Sequence, residues 1–360
     1  MNAEPAIRKI MSRPAAWLPL RPDAKNDIAV SCRIRLARNI GNLPFPIQAD
    51  QEKREQVQEL FFNALRHVKG GADFLKINMH DLSEESAELL FERKFISREF
   101  RNRERGRMLA VAGDFRLSVM INEEDHLRMQ ICLPGFRLAE AWKKIASFDT
   151  ALERNLVCAW HPELGYLTSC PSNLGTGMRA SVMLHLPALL ATDEIKKVLH
   201  ALEDMHLTAR GLYGEGSVFT GNLYQISNQT TLGESEEELL RRLEQTVSEI
   251  IRMEQNARMV MRSEKPAFIM NLCARAYGVL KYSYMLSSEE ALSLLSALRL
   301  GVDCGFFPGV RLTDVNRLTL MVQRMHMMLL DDRCADPEYR ARRRASLIRK
   351  TLGNPAPDPV

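Results

Sequence analysis

Apolar and polar positions alternate with a period of two in one clear stretch of the chain. Leu117, Val119 and Ile121 interleave with Arg116, Ser118 and Met120. After Asn122-Glu123-Glu124-Asp125-His126 the alternation resumes at Leu127, Met129, Ile131 and Leu133. This pattern predicts a hairpin with three acids crowded into its connection and Arg128 on the polar face beside Gln130. Ser31 to Asn39 also reads as extended, which puts Arg33 and Arg35 on one face. Leu223 to Ile226 and the stretch Asn155 to Trp160 read as further strands, the latter buried.

Elsewhere the period is helical. Asp50 to His67 carries Val57, Leu60, Phe61, Ala64 and Leu65 at helical spacing, and Leu138 to Ser147 reads as a short helix. Val182 to Leu190 reads as a helix interrupted at Pro187, with His185 a core histidine on its apolar side. Thr192 is expected to cap a helix carrying Ile195, Val198, Leu199, Leu202 and Met205. Ser235 and Glu238 make a capping box for a helix through about Ala257. From about Arg262 the character becomes wholly helical: Ala267 to Leu280, Ser287 with Glu290 boxing a helix to Leu300, and Leu318 to Leu330 with Met321, Met325, Met327 and Met328. The order predicts an N-terminal extension over 1–24, an α+β catalytic domain over 25–258, an all-helical domain over 262–352 and a tail over 353–360. The apolar surplus of the helical part favours a homodimer.

Composition narrows the classes. The 360 residues are 46% hydrophobic and 26% charged, as in a folded globular chain. A formal net charge of +4 makes no case for nucleic-acid binding. The seven cysteines, at 32, 132, 158, 170, 273, 304 and 334, form no CxxC pair and no zinc spacing, which fits a reducing cytoplasm. No run reaches the ~18 apolar residues of a membrane span, and no signal peptide is legible.

The chemistry concentrates in four stretches. In Cys170-Pro171-Ser172-Asn173-Leu174-Gly175-Thr176-Gly177-Met178-Arg179-Ala180, two glycines allow close backbone approach to a ligand, and a following helix is expected to offer free NH groups to an anion. Arg33 and Arg35 suggest a clamp on a polyphosphate. Arg210-Gly211-Leu212-Tyr213-Gly214-Glu215-Gly216-Ser217 reads as a mobile loop carrying Glu215. Neither a GxxxxGK[ST] loop nor a Rossmann glycine pattern is present. Five arginines, Arg33, Arg35, Arg128, Arg179 and Arg210, can replace such a cradle around a triphosphate. Glu124 and Glu215 then suit a guanidinium acceptor, which they can grip and deprotonate, with Cys170 expected as a thiolate beside it. The basic run Arg340-Ala341-Arg342-Arg343-Arg344-Ala345 reads as a solvated helix face or an anion site.

These segments resemble the phosphagen (guanidino) kinases. Ser31 to Arg35, Asn122 to Arg128, Cys170 to Arg179 and Arg210 to Glu215 match that family's STRVR, NEEDHLR, CPSNLGTGLRA and flexible RG-loop signatures, in order, over roughly residues 25–255. The resemblance implies an antiparallel sheet flanked by helices. It also implies MgATP held by Ser31, Arg33, Arg35, Arg128, Arg179 and Arg210, with no metal ligand from protein side chains. A histidine that relatives place near the adenosine phosphates is matched here by Lys94. Arg33 lies too near the start to leave room for the family's N-terminal helical lid, so the likeness is to the branch that phosphorylates arginine in proteins. That branch implies marking of proteins for Clp-type proteolysis, control of a stress repressor, a zinc-binding activator and a Clp ATPase as partners. It also implies phosphoarginine binding by an RDxxRA motif, represented here by Arg340 and Arg344, with Ala341 in place of its aspartate. A free-arginine kinase and a catalytically silent phosphoarginine- or protease-binding regulator are the alternatives.

Overall fold

The structure is a computed structural model that describes residues 4–18, 28–211 and 219–353. Its strands are β1 (Ala29–Arg38), β2 (Leu75–Asn78), β3 (Met108–Val111), β4 (Leu117–Ile121), β5 (Leu127–Pro134), β6 (Trp160–His161), β7 (Gly165–Tyr166), β8 (Met178–His185), β9 (Leu207–Arg210) and β10 (Leu223–Asn228). β6 and β7 make a small hairpin, and the other eight form one sheet in the order β2-β3-β4-β5-β1-β8-β10-β9. The helices are α1 (Glu4–Met11), α2 (Gln51–Leu65), α3 (Glu84–Glu92), α4 (Leu138–Glu153), α5 (Pro187–Ala191), α6 (Ile195–Asp204), α7 (Glu236–Glu264), α8 (Pro266–Tyr282), α9 (Ser288–Asp303), α10 (Leu312–Met321), α11 (Arg324–Leu330) and α12 (Pro337–Thr351). The chain forms two compact units. One comprises 1–17, 31–182 and 227–245; the other comprises 18–30, 183–226 and 246–360.

The expected hairpin is β4 and β5, paired antiparallel with Ser118 opposite Gln130 and Met120 opposite Arg128. β5 also pairs antiparallel with β1, setting Cys132 against Arg33, Gln130 against Arg35 and Arg128 against Ala37. Residues paired across strands share a sheet face, so Arg33, Arg35, Ser118, Arg128, Gln130 and Cys132 all project to one side. Cys32, Ile34 and Leu36 fill the other side and are fully buried. β1 is thus an interior strand, and its arginines are not there to keep a sheet edge soluble.

Several elements differ from the sequence reading. β8 runs through Met178–His185 and the helix starts only at Pro187, so Val182 to Leu190 is not one interrupted helix. A strand buried on both faces leaves a continuous apolar run, which periodicity cannot tell from a buried helix. Asn155 to Ala159 is irregular, with an isolated bridge from Cys158 to Ile40, and only Trp160 is in a strand, the exposed start of β6. Thr192 closes α5 by donating to the Ala188 and Leu189 carbonyls and does not cap α6. Met205 follows that helix and is exposed. Leu318 to Leu330 is split into α10 and α11 at Val322-Gln323. α4 continues to Glu153 and α7 to Glu264.

Other signals translate directly into structure. Ser235 and Glu238 form the reciprocal capping box that starts α7, and Ser287 accepts from the Glu290 NH at the start of α9. In the helical C-terminal part, Leu280, Leu292, Leu295, Leu298, Leu318 and Ile348 pack into one core cluster. Met325 and Met327 are buried as well. His185 is a buried core residue whose Nε2 lies 2.8 Å from Ser296 Oγ, although it sits on a strand.

Candidate active site

Charge of one sign collects on the polar face of β1, β5 and β8. Burial and the neighbouring Arg33, Arg128 and Arg179 together pull the Arg35 guanidinium well below its usual basicity. Burial, with Arg128 nearby, lowers Arg33 in the same way. Neither Arg33 nor Arg35 is bridged to a carboxylate among the described residues, and Arg35 Nε is buried without a hydrogen-bond partner among them. Arg179 Nη2 donates to Ser227 Oγ at 3.3 Å. Ser31 is buried two residues ahead of Arg33 on the same face of β1. Arg33, Arg35, Arg128 and Arg179 are half-buried, and guanidinium groups packed together at such a site repel unless an anion joins them, so the arrangement suits one.

Lys94 belongs to this face. Gln130 donates to the Lys94 and Phe95 carbonyls, each at 2.8 Å, and to Ser118 Oγ at 3.0 Å, which pins the loop that carries the lysine. Lys94 has a left-handed φ of 64° and sets its Nζ 4.1 Å from the centre of the Trp17 ring. Burial and then Arg33 bring its pKa down to about 7. Phosphate oxygens would favour the ammonium form, so nucleotide binding should take up a proton. Affinity for ATP is therefore expected to fall as pH rises above about 7, by up to about tenfold per unit. Titrations at pH 6.5 and 8.5 check this, and Lys94→Met should flatten the dependence.

The three acids of the hairpin connection separate into three tasks. Glu123 is buried against Arg128, whose Nη1 donates to both carboxylate oxygens at 2.6 and 2.7 Å, and Ser97 Oγ donates at 2.5 Å. Against the penalty of burial, Arg128 holds the Glu123 carboxyl down at about 2. Asp125 accepts from Asn39 Nδ2 at 2.7 Å and from the Ser169 NH at 2.7 Å, tying the hairpin to β1 and to the segment before Cys170. His126 Nδ1 accepts from the Ile40 NH at 2.9 Å, which leaves its proton on Nε2 for the Pro44 carbonyl at 2.9 Å. Burial lowers the His126 pKa, in keeping with this neutral tautomer. Glu124 alone remains exposed. Its pKa is raised, by partial burial first and then by Asp125 and Glu123, while Arg128 and a hydrogen bond with Cys170 act the other way.

Glu124 and Cys170 are thus neighbours at the edge of the arginine cluster. Ser169 Oγ donates to the Glu124 carbonyl at 2.7 Å, and Cys170 Sγ lies 3.0 Å from Ser172 Oγ. The glycine-rich segment after Cys170 differs from expectation. It leads into strand β8, so no helix N-terminus faces an anion. Gly175 and Gly177 have φ of 104° and 61°, and they approach protein backbone: a Cβ on them would fall 2.3 Å from the Thr231 carbonyl oxygen and 2.6 Å from that of Ala37. Their freedom of conformation lets the loop pack.

Arg210 ends β9, and Glu215 lies outside the described residues. In the basic run of α12, Arg344 is 3% exposed, donating from Nε to the Val322 carbonyl at 2.8 Å and from Nη1 to that of Leu286 at 2.7 Å. Arg340 Nη1 donates to the Cys334 and Ala335 carbonyls. This run is therefore not a solvated helix face. Sequence reasoning missed Asn39, Ser97, Glu123, Asp125 and Gln130 as organisers of the site, and only their places beside the arginines in the chain hint at them.

The family model for the ATP:guanido phosphotransferase C-terminal catalytic domain matches residues 56–257, more than half of the chain. The chain belongs to the ATP:guanido phosphotransferase family. Members of this family draw on ATP as phosphoryl donor. A second family model, the protein-arginine kinase McsB C-terminal domain, matches residues 267–359 of this phosphotransferase. A protein-arginine kinase of Halothermothrix orenii is 40% identical over 328 residues, covering 91% of this chain and 94% of the relative. One of Desulforamulus reducens is 38% identical over 355 residues, covering 97% and 99%. Among solved structures, lombricine kinase matches with a TM-score of 0.58 at 27% identity, covering 67% of this chain and 70% of its own. The duplicated taurocyamine kinase of Schistosoma mansoni with bound transition-state analogue components matches with a TM-score of 0.59 at 28% identity, covering 68% of this chain and 35% of its own. The expected family and the antiparallel sheet with flanking helices are both borne out. Among the described residues no helix is long and apolar enough to cross a membrane.

Proposed function

We propose that this phosphotransferase moves the γ-phosphoryl group of MgATP to the guanidinium of arginine side chains in proteins. The observation that carries the reading is the contiguity of an exposed, proton-hungry Glu124, its partner Cys170 and the Arg128–Arg35 cluster. Arg33, Arg35, Arg128, Arg179, Arg210 and Lys94, together with Ser31, are the proposed triphosphate cradle, and Mg2+ is proposed to arrive on the triphosphate with no protein side chain as ligand. A guanidinium nitrogen has no free lone pair until it sheds a proton. In the proposed step that proton passes to Glu124 as the nitrogen–phosphorus bond forms and the bond from Pγ to the β-phosphate oxygen breaks, releasing ADP. Burial and two neighbouring acids make Glu124 a stronger base than a solvated glutamate. Glu215 is proposed to align the acceptor from its loop, and Cys170 to steady it.

The similarity to curated protein-arginine kinases across both parts of the chain favours a protein acceptor over free arginine. Incubation with MgATP and either free arginine or an arginine-bearing protein tests this, with acid-labile phosphoarginine read by mass spectrometry. Transfer to free arginine alone would overturn the reading. The family resemblance supports placing the modified proteins upstream of a Clp-type protease, with a zinc-binding activator and a stress repressor among the partners. Arg340 and Arg344 remain proposed as the phosphoarginine contact, although both already hold backbone carbonyls and Ala341 offers no acid.

A homodimer is part of the proposal. Phe268, Leu272, Val279 and Tyr282 are all exposed and fall on one stripe of α8 at helical spacing. Such a stripe suits a second copy of the same face. The double change Phe268→Glu and Tyr282→Glu is expected to convert a dimer to a monomer by light scattering. An unaltered molar mass would exclude this face.

A further inference from the structure

Two adjoining concavities of about 430 and 340 Å³ meet at Trp160 and Tyr166 on the compact unit that carries Glu124 and Cys170. Their lining includes Glu153, Glu163, Glu234 and Glu236 and no lysine, arginine or histidine. Two arginines lie just behind this lining, and both are paired: Arg38, 3.4 Å under the Tyr166 ring, with Asp149, and Arg242 with Glu234, so Glu153, Glu163 and Glu236 leave the groove net acidic. The groove is also apolar at its rim. Trp160 is 58% exposed, Val157 is 76% exposed, and Leu164 and Leu232 are open to solvent too. Exposed tryptophan is costly to leave in water and is the residue type that most often anchors a partner.

The acids are not all consumed by internal pairing. Glu153 accepts from the Tyr166 hydroxyl at 2.6 Å, and Glu234 pairs with Arg242 while its Oε2 is buried without a hydrogen-bond partner. Glu163 and Glu236 are in no ion pair among the described residues. The groove is joined to the acceptor end of the site by a short covalent path. Tyr166 precedes Cys170 by four residues, a separation of at most about 13 Å. Between them the Ser169 NH is fixed to Asp125, and the Tyr166 NH is bonded to the Gly175 carbonyl.

We infer that this groove docks the stretch of a protein substrate that flanks the target arginine, and that it selects basic segments bearing an apolar residue. Opposite charge draws the segment in, while Trp160 and Leu232 cover its apolar side chain. Four residues of chain bound the separation of Cys170 from Tyr166 at about 13 Å, which a flank three to five residues from the target can reach. This inference rests on the protein-arginine reading above and adds the preference for sequence context.

Fluorescein-labelled peptides that share one arginine provide the test. One peptide carries lysines and a leucine three to five residues from that arginine, and the other carries glycine and serine there. Anisotropy with the full chain should show the basic peptide binding about tenfold tighter, with the difference fading as salt rises. Glu163→Lys and Trp160→Ala, both at exposed positions, should each abolish most of that difference and raise KM for the basic peptide. The turnover number on the glycine-serine peptide should stay unchanged, and Glu163→Gln should fall between wild type and Glu163→Lys. Equal affinity of wild type for the two peptides, or variants that bind the basic peptide as wild type does, would overturn the inference. Because binding is read without transfer, selective binding with no phosphorylation of either peptide would strike the protein-arginine reading and leave the groove standing.

Discussion

Glu124→Gln is expected to lower phosphoryl transfer by about 10²- to 10⁴-fold, the usual contribution of a positioned general base, with ATP affinity changed by less than about twofold. The substitution keeps the shape and the hydrogen bond toward Cys170 but cannot accept the guanidinium proton. Nothing structural hangs on the carboxylate, because Glu123 and Asp125 perform the anchoring on either side of it. Glu123→Gln should behave differently. It would release Arg128 into a cluster already short of negative charge, so stability and nucleotide binding should both suffer. Steady-state kinetics beside nucleotide titration separate the two variants. Equal loss of turnover and of ATP binding in Glu124→Gln would mean that this glutamate holds the cradle and does not perform the chemistry.

Arg35→Met is expected to weaken ATP binding by about 10- to 100-fold while raising the melting temperature of the nucleotide-free protein by about 2–4 °C. The opposite signs follow from one cause. Arg35 is half-buried beside Arg33, Arg128 and Arg179, and loss of solvent together with these neighbours disfavours its charge. Removing that charge relieves the free protein and deprives the triphosphate of a donor. Sites that bind strongly charged ligands commonly carry such a cost. Thermal melts with and without MgATP read both effects together. A lower melting temperature in the variant without nucleotide would show that Arg35 is structural.

The parts of the site that were legible in the sequence are those where residue type and period agree. Leu117 to Leu133 alternates because one face of β4 and β5 carries polar groups that the site needs, and the same alternation aligns Arg33 with Arg35 on β1. The capping box at Ser235 and the N-cap at Ser287 were readable because their partners lie three residues away. What escaped depends on distant partners. Asn39 meets Asp125 across 86 positions, and Gln130 fixes the Lys94 loop from 36 positions away. No local pattern says which of three consecutive acids faces Arg128, so Glu123 looked no different from Glu124. Val182 to Leu190 was misread because a strand covered on both faces loses its alternation. Gly175 and Gly177 were rightly seen as conformationally special, yet what approaches them is the protein's own backbone.

The central claim is geometric, and a crystal structure with MgADP, nitrate and an arginine-bearing peptide tests it most directly. The phosphates are expected against Arg35, Arg33, Arg128 and Arg179, with the peptide guanidinium about 3 Å from the Glu124 carboxylate and beside Cys170. Nucleotide bound away from these arginines, or an acceptor guanidinium out of reach of Glu124, would contradict it.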